Sequence, residues 1–310
     1  MNITTFYKFI AIKNVEKVDQ ILKQFASEND ITGLVILAPE GINCTVCAPS
    51  LEKLQTFKQN VLALFNLNQM NFKDSESDHP PFRRFQTKIR DEIVTLRTPH
   101  LVPADSDKSH HLSPKDWNEV LKNEPDVRVI DTRNWYETQM GTFKNAVNPK
   151  LDVFTEFPTY MKEQNIQKND KVLIFCTGGI RCEKGLLQLF EQGFDNVYQL
   201  DGGILNYLKE FPNDQYEGEC FVFDHRVAVD QDLKPSKLYD LCPHCGQPAK
   251  TEVICKRCDT HQAVCDECQT LEWKNATCSK HCAHQLELHP TRKGPKQHNP
   301  WRDTRKPTIS

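Results

Sequence analysis

Residue patterning predicts an α/β multidomain protein. It has an N-terminal ferredoxin-like (acylphosphatase-like) α+β domain over residues 1–97, a linker over 98–114, a central α/β domain with a parallel sheet over 115–213, and a Cys-rich, zinc-binding C-terminal domain with a basic tail over 214–310. Three observations carry this. Apolar spacing runs βαββαβ through roughly the first hundred residues and then alternates strand with helix. Composition shifts near Tyr216, beyond which cysteines crowd and periodicity fades. A chain of 310 residues is also too long for one ordinary core and suits two or three.

"TFYKFIAI" alternates like a strand, and Val15, Val18, Ile21, Leu22 and Phe25 follow at helical spacing. "ITGLVILA" and "CTVCA" are strands around the turn "PEGIN". Ser50 is a natural N-cap for a helix carrying Leu51, Leu54, Phe57, Val61, Leu64 and Phe65. "QMNFKDS" and "FQTKIRDEIVTLR" close the domain as strands. The Pro-, Ser-, Asp- and His-rich stretch "TPHLVPADSDKSHHLSP" reads as the linker. Ser113 and Pro114 then open a helix as N-cap and first residue. "VRVIDTR", "KVLIFCT" and "NVYQLDGGI" are buried strands separated by helical stretches, the signature of a parallel sheet.

A net charge of -3 argues against a general polyanion binder. No apolar run reaches the ~18–20 residues of a membrane span, and the N-terminal stretch has no continuous apolar core or small-residue cleavage site. A cytoplasmic protein without membrane contact is expected. In a reducing compartment its thirteen cysteines read as thiols, metal ligands or catalysts rather than disulfides.

Cys176 ends an apolar strand and is followed by Thr177, Gly178, Gly179, Ile180 and Arg181, with a helix expected from about Cys182. Ligands bind at this end of a parallel sheet. The glycines allow backbone N–H groups to converge on an anion, the helix N-terminus adds partial positive charge, and Arg181 adds a permanent one. Such surroundings lower a thiol pKa from ~8.5 into ~3.5–7.5, so Cys176 is the candidate nucleophile. The loop is one residue shorter than the cysteine-phosphatase signature, which suits a persulfide better than a whole phosphate. Nearby, Asp131, Arg133 and Glu137 read as a helix cap plus an ion pair ahead of a direct part in the crevice. Cys182 reads as a residue that packs or faces the solvent, ahead of a resolving thiol. Cys44 and Cys47 lie three apart on a strand and so point to opposite faces, and Cys220 reads as a small buried apolar residue.

In the C-terminal region Cys242/Cys245, Cys255/Cys258, Cys265/Cys268 and Cys278/Cys282 form four pairs. Short spacings of this kind put two sulfurs on one tetrahedral ion, so eight thiolates make two structural zinc sites. Sequential and interleaved pairing both fit, and His244, His261, His281 and His284 are possible substitute ligands.

"VIDTRNWYETQMGTFKNAVNP", "IFCTGGIRCEKG" and "GFDNVYQLDGGI" together resemble a rhodanese domain. With "LAPEGINCTV" and "GECFVFDHRVAVD", the chain resembles, over nearly its whole length, the rhodanese-containing tRNA uridine hydroxylase family, TrhO. Cys44 departs from the glycine expected after "EGIN". The resemblance implies oxygen-dependent formation of 5-hydroxyuridine at the tRNA wobble position. Dioxygen would be co-substrate, Cys176 the persulfide-type cysteine and the tRNA anticodon region the partner, with a sulfur donor or reductant besides. It also raises RNA binding for the basic cluster Arg83, Arg84, Lys88 and Arg90, for the +5 stretch Thr291–Ser310, and for Trp273 and Trp301 as stacking platforms. The same loop chemistry would serve a persulfide sulfurtransferase, and a non-enzymatic binding module is the third possibility.

Overall fold

The computed structural model describes residues 1–103 and 108–296. Trp301 and the last three basic residues of the tail, Arg302, Arg305 and Lys306, lie outside them. The chain divides into two compact units. One is Met1–Val222 with Val229–Lys234, and the other is Phe223–Ala228 with the chain from Pro235 onward.

The first unit opens with a five-stranded sheet. In order come β1 (Asn2–Phe9), α1 (Val15–Glu28), β2 (Thr32–Ala38), β3 (Gly41–Ala48), α2 (Leu51–Leu64), β4 (Lys73–Glu76) and β5 (Phe85–Ile89). Both helices begin on side-chain caps: Asn14 accepts from the Lys17 N–H at 2.8 Å and Ser50 from the Lys53 N–H at 3.3 Å. Spatial order is β4-β1-β3-β2-β5, with β5 parallel to β2 and the other pairings antiparallel. The expected βαββαβ core is present, and a fifth strand extends one edge. Phe6, Leu22, Val35, Val46, Phe57 and Val61 are buried together between the sheet and its helices. Cys44 belongs to that core, whereas Cys47 shares its sulfur with the Thr32 hydroxyl at 3.0 Å.

The strand expected through "FQTKIRDEIVTLR" stops at Ile89. Beyond it the chain wraps around the Glu92 carboxylate, which accepts from the N–H groups of Leu96, Arg97 and Thr98 at 3.1, 2.8 and 3.2 Å. A side chain that satisfies three backbone donors removes the need for a neighbouring strand.

The rhodanese-type portion runs β6 (His111–Leu112), α3 (Pro114–Asn123), β7 (Arg128–Asp131), α4 (Trp135–Thr138), β8 (Gly141–Phe143), α5 (Phe157–Glu163), β9 (Val172–Phe175), α6 (Ile180–Glu191), β10 (Val197–Leu200) and α7 (Gly203–Glu210). Strands β6-β10-β9-β7 form a parallel sheet, and β8 pairs separately with β11 (Tyr216–Gly218). The stretch read as a linker thus ends in an edge strand. Central β9 is covered on both faces. Val172 and Ile174 enter one cluster with Phe157 and Leu186, while Leu173 and Phe175 enter another with Trp117 and Tyr207.

The two sheets of this unit meet beside Cys176. The face of the first sheet opposite its helices presents Tyr7, Phe9 and Ala38, which cluster with Ile93, Val94 and Ile180. A buried charge triad completes the joint. Lys184 on α6 is fully buried, lies 2.8 Å from Glu40 in the β2–β3 turn, and donates to Glu92. Glu40 also accepts the Ile93 N–H at 2.7 Å. Removing the shared ammonium would leave two buried carboxylates with no counter-ion. Lys184→Met is therefore expected to destabilise this unit by about 3–5 kcal/mol, measured as a lowered denaturant midpoint for the full chain.

Candidate functional site

Cys176 follows β9 and is 1 % exposed. Its sulfur accepts the Gly179 N–H at 3.1 Å, and the N–H groups of Arg181 and Cys182 also point to it. This convergence requires Gly179 at φ 98, in the left-handed region. The helix begins at Ile180 rather than Cys182, so Ile180 and Arg181 already belong to its first turn and the thiol sits directly at its N-terminus. Helix α7 holds the loop from the other side. Ile204 and Leu205 donate their N–H groups to the carbonyls of Cys176 and Thr177 at 3.0 and 3.1 Å. Gly203 makes the approach possible, because a Cβ there would lie 2.6 Å from the Cys176 carbonyl oxygen.

Burial alone would raise the Cys176 pKa. The Cys182 thiol, the Arg181 charge and the two helix N–H groups outweigh it and hold the thiol at about 5. Cys182 is correspondingly pushed up, by its own burial and by donating to the Cys176 anion, and it is fully buried. It packs rather than faces the solvent, and it also serves as a hydrogen-bond donor. Arg181 does not face the sulfur alone. Its guanidinium forms a two-pronged pair with buried Glu137 at 2.6 and 2.8 Å. Glu137 also accepts from the Asn134 N–H at 3.1 Å and the Thr177 hydroxyl at 3.3 Å. It is thus both a helix cap and the buttress of Arg181. Asp131 and Arg133 form the expected fully buried ion pair at 2.6 Å, and Arg133 also donates to the Gly141 carbonyl. Cys220 is buried, and its thiol is pushed up to about 12, chiefly by burial.

Residue patterning carries no sign of the side chains around the loop mouth. Tyr7 of β1 donates to Glu183 at 3.0 Å, and its hydroxyl lies 2.9 Å from where a Gly179 Cβ would stand. His111 contacts the same carboxylate at 3.2 Å and Lys108 lies 3.6 Å from it. The one local signal is the run "CEKG", whose charges normally mark a solvated helix face. Arg83, Arg84, Lys88 and Arg90 are all exposed along and beside β5, at the opposite edge of the first sheet from β4. Trp273 is half-buried in the second unit.

In that second unit the eight paired cysteines converge as two clusters, Cys242/Cys245/Cys265/Cys268 and Cys255/Cys258/Cys278/Cys282. Pairing is interleaved: first with third, second with fourth. Within each cluster the sulfurs lie within 4.8 Å of one another, with Cys245–Cys265 at 3.4 Å, Cys258–Cys278 at 3.5 Å and Cys258–Cys282 at 3.8 Å. A disulfide would need ~2.05 Å. Four thiolates around an ion at ~2.3 Å would lie about 3.8 Å apart, so the donor set fits a tetrahedral metal. The histidines are not part of either cluster. His244 hydrogen-bonds the Thr277 carbonyl at 2.9 Å, His261 pairs with Glu252, and His284 lies 3.7 Å from Glu287.

Comparison with known proteins matches each part of this architecture. Residues 1–93 match the family described as "UPF0176 acylphosphatase like domain", residues 114–210 the "Rhodanese-like domain", and residues 217–283 the "Rhodanase C-terminal" family. A tRNA uridine(34) hydroxylase of Bdellovibrio bacteriovorus is 54% identical over 299 residues, 96% of this chain and 85% of its own. The chain belongs to the tRNA uridine(34) hydroxylase family. A second member, from Picosynechococcus sp., is 44% identical over 255 residues, covering 81% of this chain and 84% of its own. Among solved structures, a rhodanese-like domain protein of Staphylococcus aureus is 27% identical and covers 31% of this chain and 89% of its own, with a TM-score of 0.27.

Thiolate reactivity follows ionisation, so alkylation of Cys176 by iodoacetamide is expected to rise with a midpoint near pH 5, where an ordinary thiol has ~8.5. Peptide mass spectrometry against pH measures it. Replacing Arg181 by Met should shift the midpoint upward, because a favourable charge is lost.

Proposed function

We propose that the protein hydroxylates C5 of the wobble uridine, position 34, in tRNA, with Cys176 as its catalytic thiolate and dioxygen as co-substrate. The observation that carries this is a buried cysteine held ionised by the Cys182 thiol, by Arg181 and by the N–H groups at the start of α6, with the Gly179 N–H donating to its sulfur as well. It lies in a chain that is 54% identical to a protein named for that reaction. In the overall balance one oxygen atom of O2 ends on C5 and the other leaves as water, so two electrons come from a reductant partner. Cys176 acts as nucleophile or persulfide carrier, and Thr177, Gly178, Gly179 and Ile180 form its anion loop. The exposed Arg83, Arg84, Lys88 and Arg90 hold RNA phosphates outside the site. The thirteen cysteines, all among the described residues, form no disulfide, which suits the cytosol. No helix among the described residues is long and apolar enough to cross a membrane.

The short loop, with four residues between Cys176 and Arg181, favours a second reading, in which Cys176 carries a persulfide sulfur to an acceptor. Cys176→Ser separates the readings when tRNA nucleosides are analysed by mass spectrometry. Loss of 5-hydroxyuridine from cells bearing this variant supports hydroxylation, undiminished 5-hydroxyuridine overturns it, and loss of a thiolated uridine instead selects sulfur transfer.

The two cysteine clusters hold structural zinc in this reading. A bound ion supplies ~10–16 kcal/mol of apparent binding free energy at neutral pH, enough to fold a region whose apolar core is small. Elemental analysis should find two zinc ions per chain. Chelation should remove the second unit's cooperative unfolding transition.

A further inference from the structure

One cavity of about 530 Å³ opens beside the Cys176 loop, walled by Tyr7, Lys8 and Lys73 of the first sheet and by Lys108, Glu183 and Asp201 of the rhodanese-type portion. Its volume lies within the ~300–1,000 Å³ typical of small-molecule sites and far exceeds what a sulfur-donor anion such as thiosulfate would fill. Three lysines face two carboxylates, and Glu183 is already engaged by Tyr7, His111 and Lys108. The cavity therefore favours an anion. The Lys73 ammonium covers the face of the Tyr7 ring, 5.0 Å from its centroid, so that face becomes a platform for a base when Lys73 swings off it to a phosphate. A cationic rim over an aromatic platform matches a nucleotide, with phosphate for the first and a base for the second.

We propose that this cavity receives one pyrimidine nucleotide of the RNA substrate, its base on Tyr7 and its phosphate on Lys73. The site rests on the function proposed above and gives it an address. The Tyr7 hydroxyl borders Gly179, whose N–H holds the Cys176 sulfur, so a base lodged there lies one side chain away from the thiolate. Burial lowers the Lys73 pKa to about 8, against the pull of Cys176, Asp201 and Glu183, which leaves the ammonium charged at neutral pH and already partly stripped of water. The assignment also divides the labour of the first sheet. Lys73 stands on β4, at the opposite edge from Arg83, Arg84 and Lys88, so the β5 cluster can grip the RNA at a distance while the β4 edge holds a nucleotide next to the thiolate site.

The test uses the full chain and a synthetic anticodon stem-loop RNA with uridine at the wobble position, and the hydroxylation kinetics are run in air-saturated buffer with an extract of cells lacking the protein as the source of reductant. Two readouts are followed: protection of Cys176 from iodoacetamide by the RNA, and the steady-state kinetics, KM and kcat, with which the wobble uridine is hydroxylated. Lys73→Gln should raise both the RNA concentration needed for protection and KM by about tenfold or more. Lys73→Arg should recover most of the loss, and Lys17→Gln, on the exposed face of α1, should change neither. Equal protection of wild type and Lys73→Gln overturns the proposal, as does equal weakening by Lys17→Gln, which would reduce the effect to general charge. Protection by thiosulfate alone at the same concentration as the RNA also overturns it, in favour of a sulfur-donor pocket. If the RNA protects Cys176 through Lys73 yet gains no oxygen, the cavity stands and the proposed reaction falls. If oxygen is gained regardless of Lys73→Gln, the reaction stands and the cavity falls.

Discussion

A sulfur anion with 1 % of its residue exposed must find inside the protein what water would have given it. Desolvation of a charge costs several kcal/mol unless donors replace the solvent, and the architecture around Cys176 supplies them from a short piece of chain. The parallel sheet ends, the backbone reverses through Gly179, and a helix starts with its free N–H groups aimed back at the sulfur. Were that reversal to relax, the thiol would take its proton back and the cysteine would become one more buried apolar residue, like Cys220. Arg181 is moderated by Glu137, so the loop acquires polarisation without a bare guanidinium beside it.

The first residues of α6 show how strictly this position is held. Ile180 packs against the apolar face of the first sheet, Arg181 turns to Glu137, Cys182 to Cys176, Glu183 to Tyr7 and His111, and Lys184 to Glu40 and Glu92. Five successive side chains reach five separate surroundings. A helix ordinarily buries one stripe and leaves the remainder in water. This one is enclosed at its start because the first sheet sits over it. The acylphosphatase-like domain is therefore part of the wall of the thiolate site.

That enclosure also explains what is and is not legible in residue order. Strand alternation, the helix caps at Ser50 and Ser113, and the Cys-Thr-Gly-Gly-Ile-Arg loop are local, and local chemistry announces itself within a few residues. Apolar spacing carries the last strand too far beyond Ile89, because Glu92 folds the backbone onto its own carboxylate and spacing is blind to that competition. Tyr7 and Lys73 carry no signal, and Glu183 only that of a charged run, since they meet through tertiary packing across most of the first unit. The cysteine pairs are plain, but their partners are not: nearly equal spacings make sequential and crossed arrangements look alike, and only the hairpins between them decide. Arg181 is legible as a neighbour of the sulfur. Its tie to Glu137 is hidden, because Glu137 also fills the capping role that its position in the chain suggests.

The crossed arrangement of the cysteine pairs has a consequence for how the second unit comes into being. Neither cluster closes a self-contained loop. Completing the first requires Cys265 and Cys268, by which time Cys255 and Cys258 have already been threaded between its halves. As the chain emerges from synthesis, Cys255 and Cys258 of the second cluster are made before the first cluster is complete, and their partners Cys278 and Cys282 only after it. The region thus behaves as a two-pin clasp rather than two beads on a string, with each pin locking the strand that the other needs.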